Sequence, residues 1–310
     1  MSLPNSLSRR SFIHAGAASL LLPAACVHRA DLDGLIDAHV HVWTPDVKRY
    51  PISEGFTVEK DMKPASFTPE EYFAHSKPCG VTRTVLIQMS FYTTNNQYML
   101  DVIKAHPGVF GGVAIVDESA PDLEATMKRL KARGVRGFRI YTSRDKAGHW
   151  FDSAGMRRMW AVAGEEGLSM CLLADPDALP MVNRMCREYP GTRVVIDHFA
   201  RIGMKGGIVP SDLEALCRLS KFPNTHVKTS AFYALGLKKP PYRDLGPMIR
   251  ALRDSFGASR LMWASDCPYQ VEGEHSYKAS IELIRSGLDF LTTEDRQWML
   301  RKTAEKVFFS

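Results

Sequence analysis

The chain has 310 residues, 45% of them hydrophobic and 24% charged, with a formal net charge of +6. That is enough chain for one large core, such as a single α/β barrel of roughly 250 residues. Part of the positive charge lies in residues 1–30, which hold Arg9, Arg10 and Arg29 and no acidic residue, leaving +3 on the rest. A surplus that small, with no Lys/Arg run longer than a pair, gives no electrostatic footprint for nucleic acid.

Residues 1–30 read as a twin-arginine export signal. Arg9-Arg10, followed by Ser11-Phe12-Ile13, precedes the apolar stretch Ala15–Ala25, which is too short for the roughly 20 residues of a membrane span but right for a signal core. The expectation is export to the periplasm by the twin-arginine machinery, with the folded domain over 31–310. Leu22–Cys26 resembles a lipid-attachment site but carries Pro23 where an aliphatic residue belongs, so anchoring at Cys26 is not expected. The other five cysteines are scattered and odd in number, which fits neither a disulfide framework nor a thiolate metal site.

From residue 34 the sequence alternates apolar β-rich runs with amphipathic segments. Strands are expected at 34–43, 82–90, 109–116, 135–141, 168–173, 193–199, 226–231 and 261–266. Helices are expected at 69–77, 95–106, 120–133, 153–166, 177–188, 211–221, 242–256, 276–287 and 293–308. Thr68-Pro69, Asp175-Pro176 and Pro210-Ser211 mark helix starts, and Gly108, Gly134, Gly167 and Gly257 mark ends. Eight strands, each followed by a helix, is the count that closes a parallel (β/α)8 TIM barrel in a single domain. An open doubly wound sheet is the alternative, but no Gly-rich phosphate-binding turn follows any strand.

Chemistry-bearing residues sit at the C-terminal ends of these strands, where such barrels keep their active sites. His39 and His41 share one face of the first strand, suited to a metal ion or a substrate oxygen, and Asp37 shares that parity one layer lower as an orienting partner. The sixth strand ends Asp197-His198, with His198 on the parity of Val194 and Ile196 and Asp197 on the other face. Asp266 ends the eighth strand, next to the first in a closed barrel, where it would take a proton from water or hold a metal. Arg139 and Tyr141 share the lumenal parity of the fourth strand, and an arginine there suits a substrate carboxylate or carbonyl. Lys228 and Ser230 on the seventh strand, and Gln88 and Ser90 on the second, are further candidates for substrate contact. Trp43, Tyr92, Trp150, Tyr233 and Tyr269, on loops after strands, are candidates for an aromatic wall.

In their order, Ile36–Trp43, Val85–Gln88, Gly134–Arg139, Val194–His198, Val227–Ser230 and Arg260–Pro268 make the chain resemble the amidohydrolase-related family. It is most similar to the branch of sugar-acid lactonases and 2-pyrone-4,6-dicarboxylate lactonase. The resemblance implies that His39, His41 and His198 polarise a scissile carbonyl or hold a metal, that Asp266 activates water and that Arg139 binds substrate. Departures narrow it. The binuclear form needs a bridging Lys or Glu after the fourth strand and a His after the fifth; Arg139 with Tyr141, and Leu173-Ala174-Asp175, stand there instead. Decarboxylating relatives carry a further His that is absent between 226 and 275. What remains implied is hydrolysis of a small carboxylic ester, foremost a lactone, at a site with no cofactor or with one divalent ion, Zn²⁺ foremost, on His39, His41, His198 and Asp266. A metal-dependent amidase or decarboxylase on the same barrel, and an exported solute-binding protein without turnover, are the alternatives.

Overall fold

The computed structural model describes residues 34–310, so the expected export signal and Cys26 lie outside the described residues. Eight parallel strands follow in sequence order, β1 (Leu35–Val40), β2 (Val81–Ile87), β3 (Phe110–Ala114), β4 (Val135–Thr142), β5 (Ser169–Ala174), β6 (Arg193–Ile196), β7 (Thr225–Thr229) and β8 (Leu261–Trp263). Between successive strands run helices such as Pro69–Ser76, Ala154–Glu165 and Gly246–Phe256, so the expected barrel is the observed one. β8 returns to β1 through a parallel bridge between Val40 and Cys267, reinforced by His41 N–H donating to Cys267 O and Asp266 N–H donating to His39 O, each at 2.9 Å. Among the described residues no helix is long and apolar enough to cross a membrane, and the five cysteines are free.

Local chemistry accounts for the helix ends. Thr68 makes a capping box with Glu71 ahead of Pro69, and Ser153 and Ser276 accept from the backbone N–H groups of Met156 and Ala279. Two short helices, Val58–Asp61 and Arg144–Gly148, lie in loops where no element was expected, because segments of four and five residues are too short to show a period.

The lumen is filled by Ile36, Ala38, Val85, Ile87, Val113, Cys171, Val195, Met262 and Ala264. Its floor is the helix Thr303–Phe308, whose Ala304, Val307 and Phe308 pack into that cluster. Arg83 holds the floor by an ion pair to Glu305 at 2.6 Å, and Arg193 by a hydrogen bond to Val307 O at 2.9 Å. One end of the barrel is thus closed by apolar packing, and the polar residues gather at the other.

This packing corrects the expected position of Asp37. Ile36 and Ala38 face the lumen, so Asp37 faces the helix layer, and a register shift between Asp37 and Val40 returns His39 to the interior. The Asp37 carboxylate accepts from Tyr277 (2.8 Å) and Tyr72 (3.3 Å) hydroxyls and from the N–H groups of Ser265 (2.9 Å) and His39 (3.2 Å). It touches no imidazole; it pins the backbones of β1 and the β8 extension together. Burial pushes its carboxyl up to about 6, against the pull of these hydrogen bonds. The sign follows: ionising Asp37 in the folded chain opposes stability as pH rises from about 4 through 6, and that stability returns on acidification.

Asp37→Ala strands four donors, two of them backbone, so the expected loss is about 3 kcal/mol, or a fall in Tm of roughly 6–12 °C. Thermal unfolding followed by circular dichroism measures it. A shift under about 2 °C would show that the seam does not depend on this carboxylate.

Candidate active site

At the C-terminal ends of β1, β6 and β8 three imidazoles converge on one carboxylate. His39 Nε2 and His41 Nε2 each lie 3.4 Å from Asp266 Oδ1 and 3.2 Å from one another, and His198 Nε2 lies 3.7 Å from Asp266 Oδ2. The His39 and His198 rings lie with centroids 4.4 Å apart, their planes tilted by 52°. All four side chains are buried. Burial lowers the His39 and His198 imidazoles below their ordinary range, since a charged ring is poorly solvated there. For Asp266 burial works upward, but the imidazoles of His198, His41 and His39 outweigh it and hold the carboxylate below its usual range.

The expected quartet is therefore assembled, though not by strand alternation throughout. β6 stops at Ile196, and Val195, not Val194, faces the lumen. That corrects the expected parity: Asp197 is the residue carried inward by the strand. His198 reaches the site because the backbone turns left-handed, with φ of 50, 54, 53 and 58° at His198, Phe199, Ala200 and Arg201. Asp266 also has a left-handed φ, 65°. Such conformations in non-glycine residues are costly and collect at functional sites.

A cavity of about 250 Å³ opens above the quartet, lined by His41, His198 and Asp266 together with Arg139, Tyr141, Arg201, Tyr233 and Tyr269. Arg139 lies there as expected. Its guanidinium donates to Gln88 O at 2.9 Å and has no carboxylate partner among the described residues, Asp37 included. Tyr141 stands at the rim, 44% exposed, and its hydroxyl accepts from Arg201 at 3.1 Å. Of the aromatic candidates, Tyr233 and Tyr269 line the cavity, whereas Trp43, Tyr92 and Trp150 belong to the packing core.

Two expected substrate contacts are placed elsewhere. Gln88 follows the lumenal Ile87 and so points outward; its amide donates to Thr93 O (3.2 Å) and Asn95 O (2.8 Å), holding the loop after β2. Lys228 is fully buried beneath the quartet, 2.9 Å from Asp197 Oδ1 and 3.2 Å from His39 Nδ1, and does not line the cavity. Sequence reasoning misses one residue, Arg201, and part of what two others do. Tyr233 is more than wall, since its hydroxyl donates to Asp266 Oδ2 at 2.7 Å; burial and that carboxylate push its own ionisation well above the usual range. Asp197 was assigned to the wrong face. Arg201, paired with Asp175 at 2.8 Å, lies on a loop with no strand period to reveal it.

The donor set fits a divalent ion. Tetrahedral coordination at 2.0–2.1 Å separates neighbouring ligand atoms by about 3.3–3.4 Å, close to the 3.2, 3.4 and 3.4 Å among His39, His41 and Asp266. The ligand atoms of His39, His198 and Asp266 also lie within 4.8 Å of one another. His41 Nδ1, 2.8 Å from Ile87 O, must carry the hydrogen of that contact, which leaves Nε2 of the neutral ring with its lone pair toward the cluster.

An eight-stranded barrel with a His-x-His pair on its first strand, a third His after the sixth and an Asp after the eighth defines a hydrolase of the amidohydrolase type. The amidohydrolase family model matches residues 36–309, and the chain belongs to that family. It is 30% identical to an L-fucono-1,5-lactonase of Burkholderia ambifaria over 239 residues, 75% of this chain and 80% of the relative. A 4-sulfomuconolactone hydrolase of Hydrogenophaga intermedia is 28% identical over 238 residues, 76% of this chain and 75% of that protein. Among solved structures, a Pseudomonas putida protein bearing the name 2-pyrone-4,6-dicarboxylic acid hydrolase superposes with a TM-score of 0.73 at 27% identity, covering 89% of this chain and 97% of the other.

With His39 and His198 both lowered by burial, their rings should carry less charge near neutral pH than an exposed histidine and protonate in more acid solution. Histidine ring resonances in a ¹⁵N-labelled sample report this directly. Either ring still half-charged at pH 7 would contradict the site's electrostatics.

Proposed function

We propose that the chain hydrolyses a lactone, with Asp266 as the base that takes a proton from water. The observation that carries this reading is the convergence of three imidazoles on one ionised carboxylate beneath a cavity sized for a single ring. Sequence identity to the L-fucono-1,5-lactonase and the 4-sulfomuconolactone hydrolase supports a lactone over an amide.

In this mechanism Asp266, kept ionised, accepts a proton as the water oxygen bonds to the carbonyl carbon. Tyr233 holds the other carboxylate oxygen and so fixes which one faces the water. The carbonyl oxygen is directed at the imidazoles, where its developing charge is stabilised. The bond from carbonyl carbon to ring oxygen then breaks, and the proton on Asp266 passes to the departing alkoxide, giving a hydroxy acid. A divalent ion bound by His39, His41, His198 and Asp266 would supply Lewis-acid polarisation of the carbonyl and acidify the water. Zn²⁺ is the ion that this nitrogen-rich set suits best. Arg139, without a carboxylate partner, anchors an anionic or carbonyl group of the substrate, which favours sugar-acid or carboxylated lactones within the class.

A panel of 1,4- and 1,5-aldonolactones and carboxylated lactones, followed with a pH indicator, tests the reading. Turnover of at least one member is expected, and Asp266→Asn should lower its kcat by about 10²–10⁴. No turnover across the panel, with and without added Zn²⁺, would sink the assignment.

The export route is also a proposal, resting on Arg9-Arg10 and the apolar Ala15–Ala25. Mass spectrometry of the protein from the periplasmic fraction should find a chain shortened by roughly the length of a signal peptide. Full-length protein confined to the cytoplasm argues the other way.

A further inference from the structure

Beneath the quartet lies a pair that the hydrolytic reading does not use. Lys228 and Asp197 are both fully buried, 2.9 Å apart. Among the described residues neither oxygen of Asp197 accepts a properly directed hydrogen bond. A buried ion pair left this incomplete is a poor stabiliser, because desolvation of both groups offsets the attraction. Both groups face one atom: His39 Nδ1 lies 3.2 Å from Lys228 Nζ and 3.5 Å from Asp197 Oδ1.

An ammonium only donates and a carboxylate only accepts, so each favours the opposite tautomer of His39. If Lys228 donates to Nδ1, the ring hydrogen sits on Nε2, 3.2 Å from His41 Nε2. His41 holds its own hydrogen on Nδ1 against Ile87 O, so its Nε2 accepts. An unbroken chain then runs from Lys228 through His39 and His41 to the β2 backbone. If instead Nδ1–H donates to Asp197, Nε2 presents a lone pair beside those of His41 and Asp266, as a cation requires. Asp197, whose Oδ1 lies 3.5 Å from Nδ1, is the acceptor available for that arrangement.

We propose that Asp197 and Lys228 are positioning residues that select the tautomer of His39, and thereby whether Nε2 meets the site as a hydrogen-bond donor or as a lone pair. Lys228 holds the donor form in the metal-free protein, and Asp197 holds the lone-pair form when a divalent cation is bound. This does not depend on the identity of the substrate.

Histidine ring ¹⁵N shifts of chelator-treated protein, with His39 identified by the His39→Gln spectrum, measure the tautomer. In the wild type the hydrogen is expected on Nε2, it should remain there in Asp197→Asn, and it should move to Nδ1 in Lys228→Met. Wild-type protein with the hydrogen on Nδ1 overturns the proposal, and this needs no variant at position 228 to fold. A folded Lys228→Met whose His39 stays on Nε2 overturns it equally. Competition with a chromophoric chelator then gives the Zn²⁺ affinity, which Asp197→Asn should weaken about 10–100-fold. Unchanged affinity in that variant, or no Zn²⁺ binding by the wild type, overturns the cation-bound half. A purely structural pair would shift melting temperatures and leave the tautomer where it was.

Discussion

The seam between β8 and β1 is the constraint on which the site depends. Two backbone hydrogen bonds close it, from His41 N–H to Cys267 O and from Asp266 N–H to His39 O. The residues that zip the barrel shut are thus the residues, or next neighbours of the residues, whose side chains meet above it. Closure and assembly of the quartet are one event: with the seam open, Asp266 would lose both His39 and His41. Asp37, outside the barrel wall, ties the same two backbones and links them to the helices Pro69–Ser76 and Tyr277–Arg285 through Tyr72 and Tyr277.

From that seam polarity is graded along the axis. Phe308 and Val307 close one end, Lys228 and Asp197 occupy a buried middle layer, and the imidazoles with Asp266 form the third. The middle layer joins floor to site, since the Lys228 ammonium lies 5.6 Å from the Phe308 ring while reaching His39. Barrels of this kind ordinarily fill such layers with branched aliphatic side chains. Two charged groups there exchange packing energy for control of one imidazole.

Much of this was legible in the sequence because strands and helices leave periods that alternation and amphipathicity reveal. All eight strands and the nine main helices lie where the pattern puts them, and His39, His41, His198, Asp266, Arg139 and Tyr141 reach the expected end of the barrel. Errors came where the backbone leaves its period. A register shift in β1 moved Asp37 to the outer face. The early end of β6 exchanged the roles of Asp197 and His198. Gln88 lies one residue beyond the lumenal Ile87, so its side chain serves the loop after β2 and makes none of the expected substrate contact. Arg201, and the contact of Tyr233 with Asp266, arise on loops where tertiary packing sets direction and no strand period reveals it.

The left-handed run from His198 to Arg201 has an energetic meaning for the chain as a whole. At about 1–2 kcal/mol for each residue, four in succession carry roughly 4–8 kcal/mol of conformational energy, comparable with the entire net stability of an ordinary domain. Burial of Phe199 and Ala200 and the Arg201–Asp175 pair must offset it locally. Replacing Ala200 by glycine would relax the turn, inverting the usual rule that glycine weakens a fold. It would also free His198 to wander from Asp266. In this segment, then, variants selected for heat resistance and variants selected for turnover would be drawn toward different residues.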